Sequence, residues 1–388
     1  MNIGYLCDFN SYPPQKSGSR IHAYQLIEKL TQFGCRIHTF DHEKNPRCIT
    51  YPADNNGVRS FLNKIDILYV RIDGHLLYRN KIFLKCIDTG KSMPMVWEIN
   101  APAEERLWYG KRIKRAFKYI SMGSMLPGKI EDRVNKLFLG PIIDREEHCR
   151  RRYAQYTDAA ICMSEPLADY ASRHLDIKKC VVIPNGSDPA LFSPLRRNGN
   201  HLFRGFNGYT KVIYASSSHP WQGFDLVAGL AKMARNKGHK IIFIVLDSCP
   251  GRFDFARTRK GLLVYKRVNY FDVPAYLASA DICLCLYQDF DWFRYGFYMS
   301  PIKMLDYMAS GKPVIASRMG QMPAVIEDGK DGLLTSNDVG DIYKKILYCI
   351  EHREKAEEMG RAARDKILRY FNWERVARST IKVFKSVL

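Results

Sequence analysis

The chain has 388 residues, 46% of them hydrophobic, and a formal charge of +20 at pH 7. This length allows two ordinary domains, each large enough for its own core. The sequence has no run of about eighteen uncharged apolar residues, which excludes a membrane-spanning helix. The charge predicts an anionic partner. Without a zinc finger, an RNP-type strand or a basic tail, an anionic membrane surface is favoured over nucleic acid.

The first residues, MNIGYLCDFN, enter a strand pattern directly, so we expect no signal peptide. The 11 cysteines are odd in number and lack paired metal-type spacing. We therefore expect a cytosolic protein in a reducing compartment, without disulfides, metal or cofactor.

The chain opens with the pattern of a doubly wound domain. Residues 2–7 form an apolar run suited to a buried strand, a helix covers AYQLIEKLTQF, and residues 36–40 form a second strand. In such a domain ligands bind beyond the carboxyl ends of the strands. Ser17, Gly18 and Ser19, at a helix start, offer backbone amides to an anion, although a plain turn explains them equally well.

Further strands are predicted at 66–71, 95–99 and 158–164, and another begins at Val181. Between them, residues 108–152 alternate basic and apolar side chains. Ile113, Phe117 and Ile120 share one helical face, and lysines and arginines between 111 and 118 cover the remainder. This pattern is typical of a helix lying on an anionic membrane and equally of a packed helix with a solvated face.

A second strand-loop-helix opening begins near Lys211, and another strand is predicted at 240–246. From Val268 the pattern reads as a turn, a helix and a strand. This fresh start predicts a second domain of the same kind as the first.

The stretch YGFYMSPIKMLDYMASGKPVIAS, residues 295–317, organises the site we expect. Ser300 is suited to cap a helix and Pro301 to be its first residue, while Gly311 ends the helix and a buried strand follows. The free amides at this helix start favour a phosphate, which would offset the unfavourable position of Lys303 in the first turn. Asp306, one turn on, suits two sugar hydroxyls. The alternative is a capped surface helix with an ion pair.

Several of these segments resemble the retaining GT-B enzymes of glycosyltransferase family 4. SPIKMLDYMASGKPVIAS is similar to its S-P-x-K-x-x-E-Y-M-A-x-G-K-P-V branch, and VVIPNGSDPALFSP resembles V-I-P-N-G-V-D-x-x-x-F-x-P. WEINAPAEE, YPPQKSGSRIH and FNWERVARSTIKVF also resemble family segments. The resemblance implies an α/β GT-B fold, with two Rossmann-like domains facing a central cleft. The acceptor domain would cover 1–190, helped by a helix at 372–388 that crosses back, and the donor domain would cover 195–371.

The resemblance also implies roles for individual residues. The expected catalytic residues are Lys303, Asn100 and Arg71. The expected donor-binding residues are Asp306, Ser300, Pro301, Tyr298, Ser217, Gln222, Lys266, Val268, Gly320 and Gln321. The expected acceptor or cleft residues are Gly18, Ser19, His22, Glu98 and Glu104.

The sequence departs from the family at several of these positions. Asp306 and Tyr298 stand where glutamates are usual, as does Ala324. Ser217 and Gln222 stand where the family often has basic residues. Stabilisation of the diphosphate charge would therefore depend more on Lys303. Asp289-Phe290-Asp291 matches the short metal motif of the other glycosyltransferase fold. Because the GT-B matches span both halves of the chain, we interpret it as a loop acid pair and expect no metal.

The implied function is a metal-independent, retaining transfer of a sugar from a UDP- or GDP-type donor to a glycan or lipid-linked acceptor. The setting would be cell-surface polysaccharide synthesis, in the cytoplasm or peripherally on the cytoplasmic face of the membrane. One alternative is a catalytically weak nucleotide-sugar-binding protein. A nucleic-acid-binding protein is the other, and rests on charge alone. Nucleotide, sugar, acceptor and linkage stay open.

Overall fold

Two separate parallel β-sheets form the framework of the protein. The computed structural model describes residues 1–7, 18–40, 45–71, 81–89, 92–103, 128–194, 202–216, 220–247, 261–266, 268–289 and 293–388. Within these residues the first sheet has the strand order β3-β2-β1-β4-β5-β6-β7. Its strands are β1 Asn2–Cys7, β2 Arg36–Thr39, β3 Cys48–Thr50, β4 Ile67–Arg71, β5 Met95–Ile99, β6 Ala159–Cys162 and β7 Cys180–Val182.

The second sheet has the order β10-β9-β8-β11-β12-β13. Its strands are β8 Thr210–Ser216, β9 Ile241–Asp247, β10 Leu262–Lys266, β11 Ile282–Cys285, β12 Val314–Ser317 and β13 Leu333–Thr335. In both sheets the order reverses beside the first strand, at β1/β4 and at β8/β11. These are the switch points at which doubly wound sheets bind ligands.

Helices connect the parallel strands and cover both faces of each sheet. Numbered over the described residues, they are α1 Gly18–Gln32, α2 Asn55–Leu62, α3 Lys81–Asp88, α4 Gly128–Ala154, α5 Glu165–His174, α6 Phe224–Asn236, α7 Val273–Ala278, α8 Ile302–Ala309, α9 Met322–Val325, α10 Val339–Glu351, α11 Arg353–Tyr370 and α12 Trp373–Lys385. None of these helices has both the length and the apolar composition needed to cross a bilayer.

The strands are apolar on both faces because each face meets a helical layer. In β1, Ile3 and Tyr5 pack in one cluster with α1 and α12, whereas Leu6 joins the cluster on the opposite face with α2. The last helix, α12, thus belongs to the core of the first domain, although it follows the second domain in sequence. The chain must therefore cross between the domains twice.

The two crossings run side by side. The Ser187 N–H donates to the Phe371 carbonyl at 3.0 Å, and the Trp373 N–H donates to the Ser187 carbonyl at 3.2 Å. Gly186 makes this approach possible, since a Cβ there would lie 2.5 Å from the Asn372 carbonyl carbon. A single hinge therefore carries both connections.

The structure confirms the predicted α/β class with two Rossmann-like sheets. The bounds of β1 and β5 are those predicted, and α1 begins at Gly18, within the glycine-containing segment. The sequence analysis missed β3, a three-residue edge strand with little apolar character. No disulfide joins the ten described cysteines to one another.

Candidate functional site

Two helix N-termini from different domains meet at the carboxyl edges of the sheets. α1 starts at Gly18 in the first domain, and α8 starts at Ile302 in the second. A Cβ built on Gly18 would lie 3.9 Å from the Ile302 Cδ1 atom, so the two helix starts are neighbours. Each presents the positive end of a helix dipole, which favours an anion. Ser19 is partly exposed in the first turn of α1.

The start of α8 differs from the prediction at Ser300. Pro301, with φ −74° and ψ 101°, is the N-cap residue, and no side chain caps the helix. Ser300 is buried, and its hydroxyl instead accepts from the Asn185 N–H at 3.0 Å. The prediction that Ser300 caps this helix is therefore wrong, because the linker between the domains engages its hydroxyl. The Met304 N–H donates to the Pro301 carbonyl at 3.1 Å, which leaves the Ile302 and Lys303 amides of the first turn for a ligand.

Lys303 in the first turn of α8 reaches the end of β8. Its Nζ donates to the Ala215 carbonyl at 3.2 Å and lies 5.0 Å and 4.5 Å from the ring centroids of Tyr214 and Tyr287. Burial lowers the pKa of Lys303 from 10.5 to about 8. The two aromatic faces favour the charged form of the amine. The ammonium is thus held beside the switch point of the second sheet.

Asp306 lies one turn further along α8 and is 4% exposed. The Ser187 hydroxyl, in the linker, donates to its Oδ1 at 2.6 Å. Burial raises the pKa of Asp306 well above its usual range; the Ser187 hydrogen bond opposes this rise and the charge of Asp188 adds to it. A sugar hydroxyl would have to use the remaining oxygen or displace Ser187.

Three predicted first-domain residues converge on the buried carboxylate of a fourth, Glu98. Glu98 Oε1 lies 2.9 Å from Arg71 Nη1, 2.9 Å from His22 Nε2 and 3.0 Å from Asn100 Nδ2. Tyr69 donates its hydroxyl to Oε2. Burial alone would raise the pKa of Glu98, but Arg71, His22 and the hydrogen bonds hold it well below the usual range. The carboxylate is therefore ionised.

This cluster lies beneath the surface of the cleft. Arg71 and Glu98 are each only 2% exposed, and Asn100 and His22 are also buried. The expected role of Arg71 and Glu98 in the cleft stays a prediction, and the structure places both side chains in a buried cluster. Their place, directly after or within strands of the first sheet, lets them support the residues above them.

Asn185 joins the first-domain cluster to the start of α8. Its Oδ1 lies 2.6 Å from His22 Nδ1, and its Nδ2 donates to the Ser300 carbonyl at 2.7 Å. In the sequence this position stood out only as part of the segment VVIPNGSDPALFSP. Ser187 and Tyr69 were likewise not among the predicted site residues. Each is a small or aromatic polar side chain whose partner is distant in sequence, so no local pattern reveals it.

Two predicted donor residues contact the first domain. The Tyr298 carbonyl accepts from Ser164 Oγ at 2.8 Å, and Gln321 Nε2 donates to the Met163 carbonyl. A third, Gly320, packs within the second domain: it has φ +51°, and a Cβ there would lie 2.5 Å from the Phe297 ring. Tyr298 and Gln321 therefore take part in the contact between the domains.

The remaining donor predictions fall at the edge of the second sheet. The Gln222 carbonyl accepts from the Tyr214 hydroxyl, Lys266 ends β10, and Val268 packs against the core. Ser217, Glu104, the basic segment 111–118 and Asp291 lie outside the described residues. Over the part of the chain that the structure describes, no three His, Cys, Asp or Glu side chains come together as a metal site.

Residues 210–352 match the family model of the glycosyl transferases group 1. Among curated proteins, trehalose synthase of Thermococcus litoralis is 23% identical over 225 residues, which cover 53% of this chain and 52% of that protein. The chain thus spans about half the length of the curated relatives it matches.

Two solved structures share the fold along the entire chain. Sucrose-phosphate synthase from Thermosynechococcus elongatus aligns with a TM-score of 0.69 and 14% identity, covering 100% of this chain and 98% of that one. Anabaena HepE in complex with UDP-glucose aligns with a TM-score of 0.69 and 14% identity, covering 100% of both chains. These two neighbours show the GT-B fold, and residues 210–352 carry the likeness to the glycosyl transferases group 1.

Proposed function

We propose that this protein transfers a sugar from a nucleotide-diphosphate sugar to an acceptor bound by the first domain. The observation that carries the proposal is the meeting of two helix N-termini, since a Cβ on Gly18 would lie 3.9 Å from Ile302 Cδ1. A diphosphate between them would face the positive ends of both helices and their free amides. The HepE neighbour, solved with UDP-glucose, supports a donor of this class.

Lys303 would stabilise the leaving diphosphate. Its ammonium belongs to the same first turn of α8 that supplies the amides, and only one carbonyl, that of Ala215, accepts from it in the described residues. An ammonium has three N–H donors, so two remain for phosphate oxygens. Negative charge grows on the diphosphate as the glycosidic bond breaks, so preorganised donors at this place accelerate the reaction. In this proposal no metal is needed for that step.

The finer parts of the proposal follow from the family resemblance. We propose retention of anomeric configuration, no resident cofactor and a glycan or lipid-linked acceptor in cell-surface polysaccharide synthesis. The first-domain edge after β4 and β5 would receive the acceptor. We name no protein nucleophile, because no described carboxylate stands exposed between the two helix starts. Closure of the cleft around the shared hinge would exclude water during transfer.

The basic segment 111–118 would hold the enzyme on the cytoplasmic face of the membrane, near a lipid-linked acceptor. Each basic residue near an anionic surface contributes about 1 kcal/mol. Vesicle sedimentation at low salt tests this proposal. Recovery with anionic but not with neutral vesicles supports it, and equal recovery with both would point to a water-soluble acceptor.

A catalytically weak nucleotide-sugar-binding protein is the second candidate. This candidate is favoured because two positions where the family has acidic residues carry none here. Tyr298 is buried with its carbonyl bound to Ser164, and Ala324 lies in α9 without any charge. Such a protein would bind the donor without releasing nucleotide.

A thermal-shift panel of nucleoside diphosphates tests the binding part of the proposal. A ligand at 100 times its Kd stabilises the folded state by about 2.7 kcal/mol. The stabilising nucleotide then defines the sugar donors for a hydrolysis assay without acceptor. Slow release of nucleotide supports the enzyme, whereas binding with no release supports the second candidate. A panel with no stabilising nucleotide would overturn both.

A further inference from the structure

The hydrogen bonds around His22 define the protonation state of its ring. The Ser300 carbonyl can only accept, so the Asn185 side chain must place Nδ2 toward it, at 2.7 Å. The Asn185 Oδ1 then faces His22 Nδ1 at 2.6 Å. An amide oxygen has no proton to give, so His22 Nδ1 must carry the proton of this bond.

The other ring nitrogen faces an acceptor as well. His22 Nε2 lies 2.9 Å from Glu98 Oε1, the same oxygen that Arg71 and Asn100 approach with donors. Arg71 cannot accept, and a proton on this oxygen would oppose it, so the carboxylate is ionised. A lone pair on Nε2 would then face a carboxylate oxygen across 2.9 Å. The 2.9 Å contact is an ion pair only when Nε2 also carries a proton.

We propose that His22 is a cationic positioning residue that joins the Glu98 carboxylate of the first domain to Asn185, and through Asn185 and Ser300 holds the start of α8. The residues Arg71, Glu98 and His22 then carry one net positive charge beneath the two helix starts. The positive charge and the fixed helix start would favour binding of a nucleoside diphosphate. Only the identity of this ligand rests on the proposed function.

The surroundings of the ring contain no second anion among the described residues. The strands facing it contribute Glu98, Arg71 and the hydroxyls of Tyr5 and Tyr69, and burial raises the pKa of both tyrosines well above 10. The linker contributes the neutral Asn185. The last helix contributes the Trp373 ring, whose centroid is 5.2 Å from that of His22 in an edge-on contact. Glu98 is therefore the described anion with which a charged ring would pair.

Histidine-selective nitrogen NMR of the full-length protein at pH 7.5 tests the protonation state. The signals that disappear in His22→Gln belong to His22, and we expect a proton on both ring nitrogens. In Glu98→Gln we expect the same ring to carry one proton. His38 is the internal control, because it is also buried, lies 2.9 Å from the Tyr51 hydroxyl, and has a pKa lowered by burial and by Arg36. It should carry one proton in the same spectrum.

The positioning role is tested by calorimetric titration with the nucleoside diphosphate that stabilises the wild type. His22→Gln and Asn185→Ser should each weaken binding about tenfold or more, as for loss of a hydrogen bond to a charged group. His38→Gln should bind as the wild type does. Should His22→Gln fail to fold, Asn185→Ser assigns the ring signals by their shift and supplies the binding measurement.

A single proton on His22 at pH 7.5, or unchanged affinity in both variants, would overturn the proposal. A wild type that binds no nucleoside diphosphate would overturn the proposed function instead. In that case the NMR result still decides the state of His22, since it needs no ligand.

Discussion

The Lys303 ammonium donates to the main-chain carbonyl of Ala215, 3.2 Å away, while the Ala215 N–H donates to the Tyr307 hydroxyl at 2.7 Å. The pairing of β8 with β11 ends at Ile213, so Ala215 lies beyond it. Two side chains of α8, one turn apart, therefore take the place of a strand partner. Lys303 fixes the edge of the sheet and places a positive charge at the switch point at the same time.

Replacing Lys303 by Met keeps much of the apolar stem and removes the charge. If the ammonium stabilises the leaving diphosphate, kcat should fall by about 10²–10³, as for loss of one preorganised donor. Binding of the intact donor should weaken less, because the charge on the diphosphate grows only in the transition state. Steady-state kinetics with the cognate donor and acceptor measure both effects.

Lys312→Met is the matched control for this variant. Lys312 also has a pKa lowered by burial, and its Nζ donates to the carbonyls of Ala278 and Ala280, away from α8's start. Its loss should lower stability without a comparable loss of kcat. Lys303→Arg should restore activity only in part, since a planar fork does not replace a compact charge. Turnover of Lys303→Met within a few-fold of the wild type would remove Lys303 from the leaving-group role.

The lowered pKa of Lys303 predicts two opposite pH dependences. Activity needs the charged amine, so kcat/KM should fall as pH rises through about 8. Stability should change in the opposite direction. Between pH of about 8 and 10.5, Lys303 is deprotonated in the folded protein but protonated in the unfolded chain. The free energy of unfolding therefore rises with pH across this window. Urea unfolding across this window should show the rise in the wild type and a smaller one in Lys303→Met. An equal rise in both proteins would contradict the assignment.

Asp306→Asn should separate stability from binding. Burial raises the pKa of Asp306 well above 3.8, so the folded state holds a proton that the unfolded chain releases, and this residue's contribution to stability falls as pH rises above that value. A neutral isostere removes this effect, so the free energy of unfolding near pH 7 should be equal to or higher than in the wild type. If the Asp306 side chain holds the ribose, affinity for the nucleoside diphosphate should fall by about 0.5–1.5 kcal/mol, as for loss of an ordinary hydrogen bond.

The control for Asp306 is Ser187→Ala, which removes the hydroxyl that donates to Oδ1 at 2.6 Å. It frees this oxygen, so it should preserve or strengthen nucleotide binding. Calorimetry that finds Asp306→Asn unchanged in affinity would exclude Asp306 from the ribose site and leave it a role only in the contact with the linker.

Gly320→Ala should destabilise the protein more than a positive φ alone explains. Gly320 has φ +51°, and a Cβ there would lie 2.5 Å from the Phe297 ring and 2.6 Å from its carbonyl oxygen. Gly238 has φ +68° with nothing within 4 Å of its Cβ position, so Gly238→Ala measures the backbone cost alone, about 1–2 kcal/mol. Urea unfolding should give Gly320→Ala an additional cost of about 1–3 kcal/mol for the overlap. Equal destabilisation in the two variants would mean that the 293–300 loop, which contains Phe297, shifts without cost to make room for the added methyl group.

The sequence by itself determined the α/β class and the repeat of the doubly wound pattern. Apolar runs such as 2–7 and 95–99 are local signals, because a strand buried on both faces must be apolar at every position. The glycine-containing start of α1 and the Pro301 helix are local as well, since turn and cap residues act on their immediate neighbours. The same local signals placed Gly18, Lys303 and Asp306 at the edges where parallel strands end.

Only the tertiary structure decided what those side chains do there. Ser300 reads as a helix cap in the sequence, yet Asn185, 115 residues away in the chain, engages its hydroxyl. Glu98 reads as a cleft residue, yet it lies below the surface between Arg71 and His22. A hydrogen bond depends on distance and direction in space, and a buried polar group takes whichever partner the packing brings to it. For that reason the network from Glu98 through His22 to the start of α8 has no signature in the order of the residues.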